Sequence, residues 1–348
     1  MQKEAEGNTM GNNANHHARV ADVARAAGVS TQTVSRVING VKTVSPDNVR
    51  KVKQAMHELG YRPNPAARML KQRQFRTLGV ATYDTFATGQ VDTLKGIAHA
   101  AQKAGYALTL SMFDHKAGDT FESVIDKMLD LPIDGIIFVA GWLAVDPPKI
   151  EIPSDKALTI VTSRDDIPYP TVGESPREYA HMAVSHLIEL GHTNIAHIAG
   201  PEKSLATQQR IDGWSQALTE HGLPVPAVYR GDWTADSGYA AGLDIACDPN
   251  VTAVYASNDA MAYGLIQALE ICGKDVPGDI SVIGTDDSLE GTVPNLNLTS
   301  IHLGADEIGS IAVERTVAAI ESGNNEVFHH LVSASLVERG SVRDIRKH

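Results

Sequence analysis

Thr31, Gln32, Ser35 and Arg36 stand at i, i+1, i+4 and i+5, which gathers four hydrogen-bonding side chains on one face of a short helix. In the major groove of DNA, Gln can bond adenine and Arg can bond guanine, each through two hydrogen bonds. Ser30 precedes them as a hydroxyl placed to accept from the free N–H groups of a helix start. Thr33 and Asn39 extend the polar set.

A second group of candidates stands where apolar runs stop: Tyr83-Asp84, Ser163-Arg164-Asp165, Asn258-Asp259 and Thr285-Asp286-Asp287. In open α/β sheets, ligands bind outside the carboxyl ends of the strands. Adjacent carboxylates such as Asp165-Asp166 and Asp286-Asp287 usually point apart, which is a poor arrangement for paired acid–base work. No nucleophile elbow or P-loop accompanies them. His186 and His192 lack HExxH spacing, and His16-His17 falls in a polar tail. These residues therefore predict a binding protein with no catalytic residues, no metal and no cofactor.

The reading face needs a scaffold, and residues 22–39 supply two short helices joined by a tight turn. Val23, Ala24 and Ala27 share one face of the first, and Val34, Val37 and Ile38 share one face of the second. Gly28 offers the positive φ of a sharp helix exit, and Asn39-Gly40 an αL-tolerant stop. Ser45-Pro46 opens a third helix, about 46–59, whose Val49, Val52, Ala55, Met56 and Leu59 are expected to be buried against the pair. The unit reads as a helix-turn-helix head. An ordinary helical hairpin with a polar solvent face fits the same residues.

Charge separates the two readings. The chain has 348 residues and a formal net charge of -12. Residues 19–76 nevertheless hold twelve Lys/Arg against three Asp/Glu, a net of +9, and residues 77–348 a net of -20. A basic head on an acidic body is the footprint of a modular DNA-binding protein, with contact confined to the head. Residues 1–18 are polar, lack apolar periodicity and are expected to be disordered.

Residues 62–76 link head and body. Asn64 as cap and Pro65 as first residue predict one short helix, 65–71, too brief to persist alone in water. Leu70 stands exposed on it amid Ala67, Arg68, Lys71 and Arg73. An apolar side chain in a basic frame suits a wedge between minor-groove base steps. A plain linker whose Leu70 packs on the body fits equally well.

From Leu78 onward, apolar strands alternate with amphipathic helices. Strands are read at 78–82, 107–111, 135–139, 158–162, 194–199, 225–228, 253–255 and 280–284. Helices are read near 90–104, 119–130, 175–190 and 205–221. Such alternation means parallel sheets with right-handed crossovers, and the strand count suggests two of them. Cys247 and Cys272 read as reduced core thiols of a cytoplasmic protein. Neither a signal peptide nor an 18-residue apolar run is present.

Several segments together resemble the lac repressor/galactose repressor (LacI/GalR) family of transcription factors. They are Asp22-Val-Ala…Ala27-Gly-Val-Ser30-x-x-Thr-Val-Ser-Arg-Val, Gly60-Tyr61-x-Pro-Asn64-x-x-Ala67-Arg68-x-Leu70 and Leu78-Gly-Val80. Later come Gly191-His192, Arg210-x-x-Gly213-Trp214, Gly231-Asp-Trp233, Ser257-Asn258-Asp259 and Asp279-Ile-Ser-Val-Ile-Gly284-x-Asp286-Asp287. The body motifs are shared with periplasmic sugar-binding proteins.

The resemblance implies an all-α helix-turn-helix head plus an α/β, periplasmic-binding-protein-like (type I) core of two parallel-sheet subdomains. It implies a homodimer on a near-palindromic DNA operator and a small effector, most often a sugar, in the core cleft. The implied divisions are a tail 1–18, head 19–61, hinge 62–76 and core 77–348. Within the core, one subdomain takes about 77–174 and 302–331, the other about 175–301 and 332–348.

Implied DNA contacts are Ser30, Thr31, Gln32, Thr33, Ser35, Arg36 and Asn39 in the head, with Asn64, Ala67, Arg68, Leu70 and Lys71 in the hinge. Implied effector contacts are Tyr83, Asp84, Ser163, Arg210, Trp233, Asn258 and Asp286. Arg19 replaces a capping Thr, which predicts a frayed first helix or a phosphate contact. Val139, Ser163 and Leu303 replace polar residues of some sugar responders, which leaves a purine or a phosphoprotein as alternative effectors. Sugar transport and an enzyme are the rival classes.

Overall fold

The computed structural model describes residues 18–39, 41, 43–62, 74–83, 88–113, 118–140 and 151–347, with the side chains of 83, 88 and 89 outside the description. Residues 1–17 of the tail, Gly40, Asn64, Ala67, Arg68, Leu70, Lys71 and Asp84 therefore lie outside the described residues. The chain divides into two compact units, Met1–Gln74 and Phe75–His348.

Among its described residues the first unit has three helices: α1 (Val20–Ala27), α2 (Thr31–Ile38) and α3 (Pro46–Glu58). Val23, Ala24, Ala27, Val34, Val52 and Ala55 form its core, with Val37, Ile38 and Met56 packed on its edge. Gly28 ends α1 at φ 65°, a conformation that makes the turn into α2 possible without Cβ strain. Ser30 caps α2, its Oγ accepting from the Thr33 N–H at 3.1 Å.

Arg19 does not leave α1 uncapped, because Asp22 reaches back and accepts the Arg19 N–H at 2.9 Å. Asn39 is the C-cap of α2 at φ -87°, and Gly40, the other half of the expected stop, lies outside the described residues. One expectation fails here. Leu59 is the C-cap residue of α3, beyond the buried stripe, and is 40% exposed.

The second unit begins with β1 (Thr77–Tyr83), α4 (Thr88–Ala104), β2 (Ala107–Phe113), α5 (Phe121–Leu129), β3 (Gly135–Val139), β4 (Ala157–Val161) and β5 (Thr171–Gly173). It continues with α6 (Pro176–Glu189), β6 (Ile195–Ala199), α7 (Leu205–Glu220), β7 (Tyr229–Arg230), α8 (Ala235–Ala246), β8 (Ala253–Ala256), α9 (Asp259–Ile271) and β9 (Ser281–Thr285). Last come β10 (Thr299–His302), α10 (Ala305–Ser322), β11 (His329–Leu331) and β12 (Ser335–Val337).

Two sheets result, in the orders β11-β5-β4-β3-β1-β2 and β12-β10-β9-β8-β6-β7. Every pairing is parallel except β10 with β12. Helices cover both faces, as near-continuous apolar strands such as Gly135-Ile-Ile-Phe-Val139 require. The chain passes between sheets three times: from β5 to α6, from β10 to α10 (which packs on β3 and β4), and from β11 to β12.

The expected strand at 225–228 is not a strand, and pairing begins only at Tyr229. Pro224 and Pro226 remove N–H donors there, so no ladder can form. Cys247 and Cys272 are not core residues. They are the C-caps of α8 and α9, one step past the buried stripe, and both are exposed.

Candidate functional site

In the head, Val34 is fully buried and anchors α2, which turns the opposite face outward. Thr31, Gln32 and Arg36 are exposed on that face, while Thr33 and Ser35 are half-buried beside them. Ser30 Oγ and Thr33 Oγ1 lie 3.0 Å apart, and Asn39 Nδ2 donates to Ser35 Oγ at 3.4 Å. The acids of the described head serve their own helices. Asp22 pairs with Arg25, Asp47 with Arg50, and Glu58 accepts from Gln54. None stands on α2, so the Arg36 guanidinium is presented without a described acidic partner. A helix so held can bring fork-shaped donors to base edges.

In the core, the carboxyl ends of both sheets and the starts of several helices enclose a cavity of about 130 Å³. Its walls come from one sheet's side at Gln90, Thr93, Val139, Val161, Thr162, Ser163 and Glu174, and from the other at Ser204, Arg210, Trp233, Asn258 and Asp286. Leu303, Ala305 and Ile308 complete it where the chain passes from β10 to α10.

Arg210 stands on α7 and is 8% exposed. Its Nε donates to Tyr179 Oη at 2.7 Å. Its Cζ lies 5.3 Å from the Tyr179 ring centre and 5.1 Å from that of Trp233. Two aromatic rings and one bond thus hold the guanidinium, and no described residue bonds its Nη groups. Below, His197 stacks on Tyr255 at 4.9 Å and donates from Nδ1 to the Tyr255 carbonyl oxygen at 2.9 Å. Burial pushes His197 down to about 3, so it stays a neutral packing element beneath Arg210.

Trp233 occupies φ 76°, unusual for a residue with a Cβ. Its ring edge lies over Gly200, where a Cβ would come within 2.3 Å of Cζ2 and Cη2, so only glycine admits the ring there. The Trp233 carbonyl oxygen accepts from Asn258 Nδ2 at 3.0 Å. Asn258 Oδ1 meanwhile caps α9 by accepting the Met261 N–H at 2.9 Å. Asn258 therefore brings one remaining N–H to the cavity instead of a free amide.

Asp286 follows β9 at φ 94° and accepts the Ser288 N–H at 3.2 Å. The same N–H reaches Asp259 Oδ2 at 3.0 Å, and Ser300 Oγ donates to Asp259 Oδ1 at 2.6 Å. Burial raises both carboxylates above their usual range, and the Asp286 charge raises Asp259 further. Arg210 opposes the rise at Asp286. Glu174 is likewise raised by burial and drawn back by Arg210.

Of the effector candidates read from the sequence, the cavity brings together Ser163, Arg210, Trp233, Asn258 and Asp286. Ser163 Oγ is turned to Gln209 Oε1 at 2.7 Å. Tyr83 contributes the last residue of β1, but its side chain and all of Asp84 lie outside the described residues. The replacements Val139 and Leu303 do line the cavity and make those walls apolar. Glu174, Ser204, Thr93 and Gln90 went unnoticed. Glu174 would have been found had Thr171-Val-Gly173 been read as a strand, since it follows that strand's carboxyl end.

Comparison with known proteins agrees with both halves. A family model for bacterial regulatory proteins, lacI family, matches residues 19–64, and one for a periplasmic binding protein-like domain matches 184–342. Catabolite control protein A of Priestia megaterium is 35% identical over 302 residues, 84% of this chain and 90% of that one. The lactose operon repressor of Escherichia coli (strain K12) is 32% identical over 324 residues, 91% and 89% of the respective chains. The crystal structure of the lac repressor dimer bound to operator and the anti-inducer ONPF superposes with a TM-score of 0.78 at 29% identity, covering 94% of this chain and 99% of that one. With a helix-turn-helix head, a two-sheet core and similarity running through nearly all of both, the chain belongs to the lacI family of bacterial regulatory proteins.

Proposed function

We propose that this protein is a homodimeric, sequence-specific repressor whose grip on a near-palindromic operator is set by a sugar in the core cavity. Residues 19–61 are the reading head, 62–76 the hinge and 77–348 the sensor. Thr31, Gln32 and Arg36 read base edges, and Leu70 enters the minor groove when two hinges lie side by side. Arg210, Trp233, Asn258 and Asp286 hold the effector. One observation carries the reading: a single chain joins an outward helix of exposed base-reading side chains to a polar cavity built around a buried guanidinium.

Two further features support it. A sugar needs fork-shaped donors, acceptors and an aromatic face, and Arg210, Asp286 and Trp233 are of those types. The relatives named for a lactose operon and crystallised as a dimer on operator have the same head and core. Self-association has a candidate face on β2, an edge strand whose Leu108, Leu110 and Met112 are 37%, 50% and 41% exposed on one side. Such a stripe on a sheet edge is a liability unless a second copy covers it.

Selection from a random duplex pool by the full-length protein tests this. It is expected to return two related half-sites in inverted repeat. Leu110→Asp is expected to elute as a monomer and to return single half-sites, if any. Enrichment of no sequence at all would discard the regulator reading, and an unchanged dimer in Leu110→Asp would discard the β2 face.

A further inference from the structure

Glu174 is a charged wall of the cavity that no sequence motif marks. It lies between β5 and α6, on the first passage of the chain from one sheet to the other. Its backbone is fixed from both sides. A Cβ at Gly173 would meet the Thr162 carbonyl oxygen at 2.0 Å, so the end of β5 is pressed against the chain that follows β4. On the other side, Ser175 Oγ caps α6 by accepting the Glu178 N–H at 3.4 Å. The residue lines the cavity, and apart from its own backbone N–H no described residue donates a hydrogen bond to its carboxylate.

Charge then decides what can enter. Among the described lining residues Arg210 is the one cation, and it already faces both Glu174 and Asp286. An anionic ligand group would have to share that guanidinium with two carboxylates in a site of low dielectric, where repulsion is strong. A hydroxyl or amino group would instead donate to the acceptor sites that the backbone N–H leaves open on Glu174. We propose that Glu174 is a specificity-determining residue, accepting hydrogen bonds from a neutral or amino sugar and excluding sugar phosphates and sugar acids. This rests on the cavity being the sugar site.

The test uses full-length protein and a panel of common neutral pentoses and hexoses with their amino, uronate and phosphate counterparts. Thermal shift ranks them and calorimetry gives their Kd. Wild type is expected to bind a neutral or amino sugar at least about tenfold more tightly than its anionic counterpart. Glu174→Gln, which keeps the shape and removes the charge, is expected to narrow that ratio to about threefold or less. The wild-type ratio stands as a test even if the variant does not fold. Anionic sugars binding wild type best would overturn this inference and leave the sugar reading intact, as would a ratio that Glu174→Gln does not move. No binding by any sugar would overturn both.

Discussion

Arg210→Ala is expected to abolish the response of DNA retention to effector. The guanidinium is clamped by Tyr179 and Trp233 in the cavity wall and no described residue bonds its Nη groups, so its position is already fixed when a ligand arrives. Removing it costs those bonds and also leaves Glu174 and Asp286 without the charge that offsets their burial. Truncating one member of a buried charged pair typically costs about 2–5 kcal/mol of binding, roughly thirtyfold to several thousandfold in Kd.

Arg210→Lys should recover little of this, since an ammonium neither forks nor fills the slot between two rings. Calorimetry on both variants, with the best sugar of the panel, reads the loss. A thermal melt of each unliganded variant separates it from unfolding. Effector affinity unchanged in Arg210→Ala would remove this side chain from the ligand site.

Arg36→Ala is the second large effect. Its side chain leaves a helix anchored by fully buried Val34, with no described acid on that helix to hold it back. A bidentate Arg–guanine contact is worth about 1–3 kcal/mol of discrimination. Operator affinity should fall by roughly that amount, and preference should relax at one base pair in each half-site. Selection with the variant protein measures both. A uniform loss on all sequences with preferences intact would mean that Arg36 meets phosphate, not a base.

The head was legible because its signals are local. Ser30 caps α2, Gly28 turns the chain, and the period of Val23, Ala24, Ala27 and Val34 names the core. The two sheets were legible because their central strands are continuous apolar runs. What escaped was set at longer range or in shorter pieces. β5 has three residues, too few to show a pattern, so Glu174 was not seen to follow a strand. The strand expected at 225–228 had the apolar residues but alternated them with prolines, and chain chemistry overrode hydropathy. Cys247 and Cys272 looked internal by type, yet each caps a helix whose buried stripe has just ended. Asn258 was read for its amide, but helix capping takes its oxygen and the Trp233 carbonyl oxygen takes one of its N–H groups. Arg210 was visible as a residue; its aromatic clamp joins α6, α7 and the turn before α8, which no local window contains.

The central claim is that the cavity and the reading head share one equilibrium, and reciprocity tests it most directly. Using the sugar that most stabilises the full-length protein, operator Kd is measured with the cavity empty and saturated. Sugar Kd is then measured with and without operator. The account predicts two equal ratios, in a range of about 5- to 150-fold. A sugar that fills the cavity while operator affinity stays the same would contradict it.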